Sequence, residues 1–184
     1  PTHIINGIEN DLMKEDVLAR KEAFEKIVFG DPLLTTTEDN VAVLQAVMSE
    51  FPALAEDEAL VFMGHGTTHY ANTVYAALDY TFKDLGYTRT FLGTVEAYPS
   101  MESLKKQLRA LALKKVILAP FMVVAGDHAN NDMSGEDEDS WKSQFEAEGY
   151  QVSCVLKGLG EYPSVRKIYV AHTEAARKSL EEQA

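Results

Sequence analysis

Apolar residues gather in four short runs, ALVFMG (59–64), TFLGTVE (90–96), KVILAPFMVVAG (115–126) and QVSCVLKG (151–158). Each is apolar at successive rather than alternating positions, which predicts a strand buried on both faces, as in a parallel sheet. Between them the spacing changes to three and four residues. Val74, Ala77, Leu78, Phe82 and Leu85 predict a helix opened by Thr67 or Thr68 and closed by Gly86. Leu104, Leu108 and Leu111 predict a second after Pro99 and Ser100. Trp141 and Phe145 predict a third that begins near Asp137 to Ser140, and a fourth runs from Ser164 to the C-terminus. Strand and helix alternate throughout, so the expected class is α/β, a parallel sheet with helices on both faces.

The first 55 residues are less self-sufficient. They offer a strand-like THIING, a helix from Asp11 to Phe29, a short strand at PLLTT and a helix from Glu38 to Phe51. Two strands cannot cover a sheet. The expected organisation is therefore residues 1–55 as the C-terminal part of a first α/β domain whose beginning is absent, 56–163 as a second α/β domain, and 164–184 as a helix packing back on the first. The unfinished first unit predicts a homo-oligomer or association with the missing segment.

Composition narrows the partners. Of 184 residues, 46% are hydrophobic and 25% charged, ordinary values for a globular chain. The net charge of -12 argues against nucleic acid and against an anionic membrane surface, both of which are held by clustered Lys and Arg. The single cysteine, Cys154, cannot form an intramolecular disulfide and reads as a small buried hydrophobe. No long apolar run and no signal peptide is visible. The expected compartment is the cytoplasm, with a periplasmic form left open because the chain begins at Pro1.

In a parallel sheet, ligands bind beyond the carboxyl ends of the strands. The first run ends at His65, the second at Glu96 and the third at Asp127 and His128, one strand–helix unit apart each time. Imidazole with carboxylate suits a borderline divalent metal, and three protein ligands leave positions open for exchange. Taken singly, each residue has a plainer reading: a hydrogen-bonding histidine at a strand tip, or a solvated carboxylate opening a helix. Three at successive strand ends favour a shared site. His69 is expected in the first turn of a helix, exposed toward the rim, and His172 packed on the last helix. GHGT lacks the lysine of a phosphate loop, and no nucleophile-elbow serine or cysteine is present.

The segments VFMGHGTTH, GTVEAYPS, PFMVVAGDHANNDMSGEDEDSWK and GLGEYPSVRKIYVAH, with the opening HIINGIE, closely resemble the anaerobic sirohydrochlorin cobalt chelatases, class II chelatases akin to ferrochelatase. The resemblance spans nearly the whole chain. It implies two similar parallel α/β domains with a tetrapyrrole in the cleft between them, and cobalt(II) inserted into sirohydrochlorin in cobalamin biosynthesis, with iron(II) as an alternative metal. It implies His65, Glu96 and His128 as metal ligands, His65 and His128 also as catalytic groups, and Glu9 as an acidic group facing the cleft from the other domain. The competing reading is a non-catalytic carrier of a divalent metal or haem using the same residues.

Overall fold

The computed structural model describes residues 1–182. Four strands, β1 (Glu58–Gly64), β2 (Thr90–Thr94), β3 (Lys115–Pro120) and β4 (Gln151–Cys154), form one sheet in the order β2-β1-β3-β4, with every pair parallel. Six α-helices accompany them: α1 (Ile8–Leu18), α2 (Thr37–Met48), α3 (Thr73–Asp84), α4 (Met101–Arg109), α5 (Trp141–Ala147) and α6 (Pro163–Glu182).

The near-continuous apolar strands are explained by two cores, one on each side of the sheet. Leu60 and Phe62 of β1 point into one with Leu92, Ala119 and Phe121, against Val43, Leu44 and Val47 of α2 and Leu78 and Phe82 of α3. Ala59, Val61 and Met63 point into the other with Val116 and Leu118, against Leu104 and Leu108 of α4 and Trp141 and Phe145 of α5. Phe62 is fully buried, its ring 5.7 Å from those of both Phe82 and Phe121. Truncating such a side chain to alanine costs about 3–5 kcal/mol.

This arrangement fixes where a ligand can enter. The connection after β1 runs through α3 on one face to β2, and the connection after β3 runs through α5 on the other to β4. The chain therefore leaves the neighbouring strands β1 and β3 in opposite directions, opening a crevice beyond their carboxyl ends.

Several boundaries differ from the sequence expectation. The helix expected over Asp11 to Phe29 is α1 followed by a 3-10 turn at Lys21–Ala23, because its late apolar residues Phe24 and Phe29 have no continuous core beneath them. PLLTT forms only a single parallel bridge, Leu34 with Ile5. The third strand stops at Pro120, and residues 121–127 turn over the strand tips instead of continuing. Cys154 lies half-buried at the open edge on β4; burial pushes its thiol up. No helix among the described residues is long and apolar enough to cross a membrane.

The N-terminal segment is joined to the C-terminal helix by polar contacts. The Ser164 hydroxyl donates to the Ala46 carbonyl at 3.2 Å, and the Tyr169 hydroxyl to that of Thr2 at 3.1 Å. His172 lies between the Asp31 carbonyl and the Asp39 carboxylate, each at 3.1 Å. Asp39 also closes a capping box with Thr36 at the start of α2, each residue's side chain accepting from the other's backbone N–H. Partial burial pushes the Asp39 carboxyl up, but the Thr36 hydrogen bonds and His172 outweigh it and hold the group below its ordinary 3.8. A depressed carboxyl contributes stability that is complete above its unfolded value and is lost as pH falls through the folded one. Asp39→Asn should therefore destabilise the protein at neutral pH by about 1 kcal/mol and flatten the loss of stability below about pH 4. Urea unfolding of both proteins across that range measures the two effects.

Candidate metal centre

His65 follows β1 directly, between two glycines that it could not do without. A Cβ on Gly64 would lie 2.6 Å from Cε1 of Tyr75, and Gly66 has a φ of +89° with the place of its missing Cβ 3.0 Å from Ala97 N and Thr94 Cβ. The first glycine lets the Tyr75 ring pack under the strand tip, and the second turns the chain sharply. Burial pushes the Tyr75 phenol up, so it remains a neutral hydroxyl.

Backbone pairing brings the other site residues to the same place. The β1–β2 ladder continues past both strands: Val95 N–H donates to the Gly64 carbonyl and Glu96 N–H to that of His65, each at 3.0 Å. Glu96 is thereby fixed beside His65, with Oε2 3.8 Å from Nδ1. From β3, Phe121 N–H donates to the Met63 carbonyl at 2.7 Å. The loop that follows is held from below by Leu159 N–H on Met122 O and Gly160 N–H on Val123 O. His128 then stands immediately before a one-turn π-helix, Ala129–Met133.

One donor atom each from His65, Glu96 and His128 lies within 4.8 Å of the others. The two imidazoles stand at 88° with their Nε2 atoms 3.0 Å apart. Their tautomers follow from their second partners. Nδ1 of His65 lies 2.9 Å from the Gly66 carbonyl, which can only accept, and Nδ1 of His128 lies 2.7 Å from Oδ2 of Asp132. With both protons on Nδ1, the two Nε2 atoms carry bare lone pairs 3.0 Å apart. They repel when bare and attract when an electrophile lies between them.

Beside this cluster is a cavity of about 610 Å³, whose wall includes Ile4, Ile5, Glu9, His65, Tyr75 and Glu96. Glu9, on the first turn of α1, faces the same space as two of the three donors; His128 meets them from beside that wall through His65. The remaining sequence candidates lie elsewhere. His69 is not in a helical first turn: α3 starts only at Thr73, and the His69 Nδ1 accepts from Ala71 N–H to cap a preceding 3-10 turn. Its Nε2 lies 3.8 Å from Asp11, and the side chain is mostly covered. Among the basic side chains, those of Arg89 and Lys105 are occupied by the Leu54 carbonyl and Gln144, away from the cavity. Asp132 was missed as a site residue, although its spacing of one helical turn after His128 is legible in HANND.

Residues 1–178 match the family described as Cobalt chelatase (CbiK). The chain belongs to this cobalt chelatase family. It is 40% identical over 182 residues to the sirohydrochlorin cobaltochelatase of Salmonella typhimurium, covering 99% of this chain and 69% of that protein. It is 35% identical over 183 residues to the sirohydrochlorin cobaltochelatase CbiKC of Nitratidesulfovibrio vulgaris, covering 98% and 64%. The chain thus spans about two thirds of the length of these relatives. A multi-domain protein of Deinococcus radiodurans, described as structurally similar to chelatases, superposes with a TM-score of 0.51 at 14% identity over 77% of this chain and 30% of its own. That likeness is one of fold.

The positive φ at Gly66 gives a direct check on how the site is aimed. Gly66→Ala should destabilise the protein by about 1–3 kcal/mol through backbone strain and displace the His65 ring. Chemical unfolding measures the first effect, and the chemical shifts of the His65 ring the second.

Proposed function

We propose that this chain inserts cobalt(II) into sirohydrochlorin, with His65, Glu96 and His128 holding the metal as substrate and Glu9 and the histidines receiving the pyrrole protons. The observation that supports the site assignment is the convergence, within 4.8 Å, of one donor atom each from His65, Glu96 and His128 in a chain of the cobalt chelatase family. The division into residues 1–55, 56–163 and 164–184 goes with this reading, the cleft lying where Glu9 faces His65.

Insertion exchanges two pyrrole N–H protons for one divalent cation. The donors must hold the metal firmly enough to strip some of its water and loosely enough to give it up. Three donors leave coordination positions for ring nitrogens to occupy one by one. With metal–nitrogen bonds of about 2.1 Å, two nitrogens at this separation subtend about 90° at the ion, so they occupy adjacent positions and leave the opposite side free. His65 and Glu96 side chains are 50% and 54% exposed, so water and ligand can exchange there.

Each pyrrole proton needs an acceptor close to the ring nitrogen. Glu9 approaches from α1, across the cavity from the strand tips, and is not occupied by the cation. An imidazole serves as ligand or as base at any moment, and becomes available as a base once it has released the metal. The same donors accommodate iron(II), whose place below cobalt in the general affinity order leaves choice to supply and to the macrocycle.

The deciding experiment follows the visible spectrum of sirohydrochlorin with this chain and excess cobalt(II) or iron(II). Many turnovers per chain are expected with cobalt. Stoichiometric metal binding without turnover would refute insertion and indicate a carrier. His128→Ala should lower the rate by about 100-fold or more with the circular dichroism spectrum unchanged, since the ring lies outside both cores. Glu9→Gln should lower the rate while cobalt binding stays within about twofold; an equal fall in both would make Glu9 a ligand instead of a base.

A further inference from the structure

Asp132 is a carboxylate that neither the fold nor proton transfer to Glu9 calls for. It belongs to neither core, and its recorded side-chain contact is with Nδ1 of His128 at 2.7 Å. The backbone that carries it is unusual. Residues 129–133 form a π-helical turn, rare in proteins and found mostly at functional sites. That turn is anchored at both ends: the Asn130 side-chain amide donates to the carbonyls of Ala125 and Gly126, and the Ser134 hydroxyl donates to the Ala129 carbonyl at 2.9 Å. Gly135 approaches so closely that a Cβ there would lie 3.1 Å from the Asn131 carbonyl carbon.

We infer that Asp132 is a positioning residue for metal transfer: it holds the proton of His128 on Nδ1 and so aims a lone pair on Nε2 at the metal. The inference rests on the reading of His128 as a metal ligand. The identity of the protonated ring nitrogen is set by the hydrogen bond that nitrogen makes, and outer carboxylates that orient ligating histidines are worth about 10–100-fold in metal affinity. His65 has a corresponding partner in the Gly66 carbonyl, a neutral backbone group that no side-chain change can remove. The two histidines are thus oriented by unequal acceptors. Only His128 has a carboxylate within hydrogen-bonding distance of Nδ1, since Glu96 lies 3.8 Å from that of His65, which makes His128 the stronger donor of the pair and the later of the two to release the metal.

The test is cobalt(II) binding by calorimetry on this chain, with Asp132→Asn, Asp132→Ala and His128→Ala compared with the parent. An asparagine oxygen can still accept from Nδ1 but brings no charge, so Asn should weaken binding by about tenfold and Ala by up to about 100-fold. Ring carbon and nitrogen chemical shifts of His128 should show the Nδ1–H tautomer in the parent and a mixture in Asp132→Ala. A merely structural carboxylate would leave that signature unmoved. Asp132→Ala binding within twofold of the parent, while His128→Ala loses tenfold or more, overturns the role of Asp132 alone. If His128→Ala also binds within twofold, His128 is not a ligand, and both this inference and the assignment beneath it fall.

Discussion

The site depends on backbone pairing that outlasts the strands. Two amide hydrogen bonds carry the β1–β2 ladder two residues past the end of β2 and place Glu96 beside His65, while Phe121 N–H extends the β1–β3 pairing beyond Pro120. The backbone positions of His65 and Glu96 are therefore set by this pairing. A register change of one residue in the β1–β2 pairing would turn Glu96 to the opposite face. Both faces of the sheet are filled by separate cores, so such a shift would also exchange the cores that Phe91 and Leu92 of β2 enter. Register and site geometry are stabilised by the same packing.

That coupling explains how much could be read from the sequence. Doubly buried strands write themselves as continuous apolar runs, and the residues at which those runs stop are the ones the fold delivers to the rim. His65 and Glu96 were legible for that reason. His128 was legible only as a neighbour of a long run, since the strand ends eight residues earlier than His128 and the intervening loop is positioned by bonds from residues 159 and 160, which no local pattern announces. The α3 start was misplaced for a related reason. Thr67 and Thr68 have the chemistry of caps, but the Thr67 hydroxyl accepts from His69 N–H, and a 3-10 turn comes before the helix. The Thr67 hydroxyl is taken by this local turn and is not available to cap α3. Family resemblance, carried by the long HANND and SWK segment, supplied what periodicity could not, namely Glu9 and the identity of the macrocycle.

On the proposed function, the centre exchanges a metal and does not keep one. A closed structural site surrounds its ion with four donors and removes it from water. Here three donors converge at a rim whose side chains are about half exposed, and His65 and His128 reach the same point from different strands. Orientation of the imidazoles through Nδ1 raises their strength as donors; exposure and the missing fourth ligand lower the total. The balance suits a cation that arrives hydrated and departs into a ring.

Electrostatics place limits on how the macrocycle can lie. The cavity wall carries the carboxylates of Glu9 and Glu96 and no Lys or Arg, in a chain of net charge -12. A polycarboxylate ring inserted edge-first with its acids inward would bring like charges together in a partly desolvated space, where repulsion at 4 Å and an effective dielectric of about 20 is about 4 kcal/mol per pair. On the proposed function, the ring enters with its nitrogen centre toward the strand tips and its acids outward, where salt screens them within about 8 Å. The divalent cation reverses the local sign at the one point where ring and protein have to approach, so bound metal and correctly oriented ring favour each other. The apolar contacts of Ile4 and Ile5 can hold the ring's flat body without adding charge. Orientation would then follow from where negative charge is tolerated, with no cationic side chain in the cavity wall needed to grip the acids.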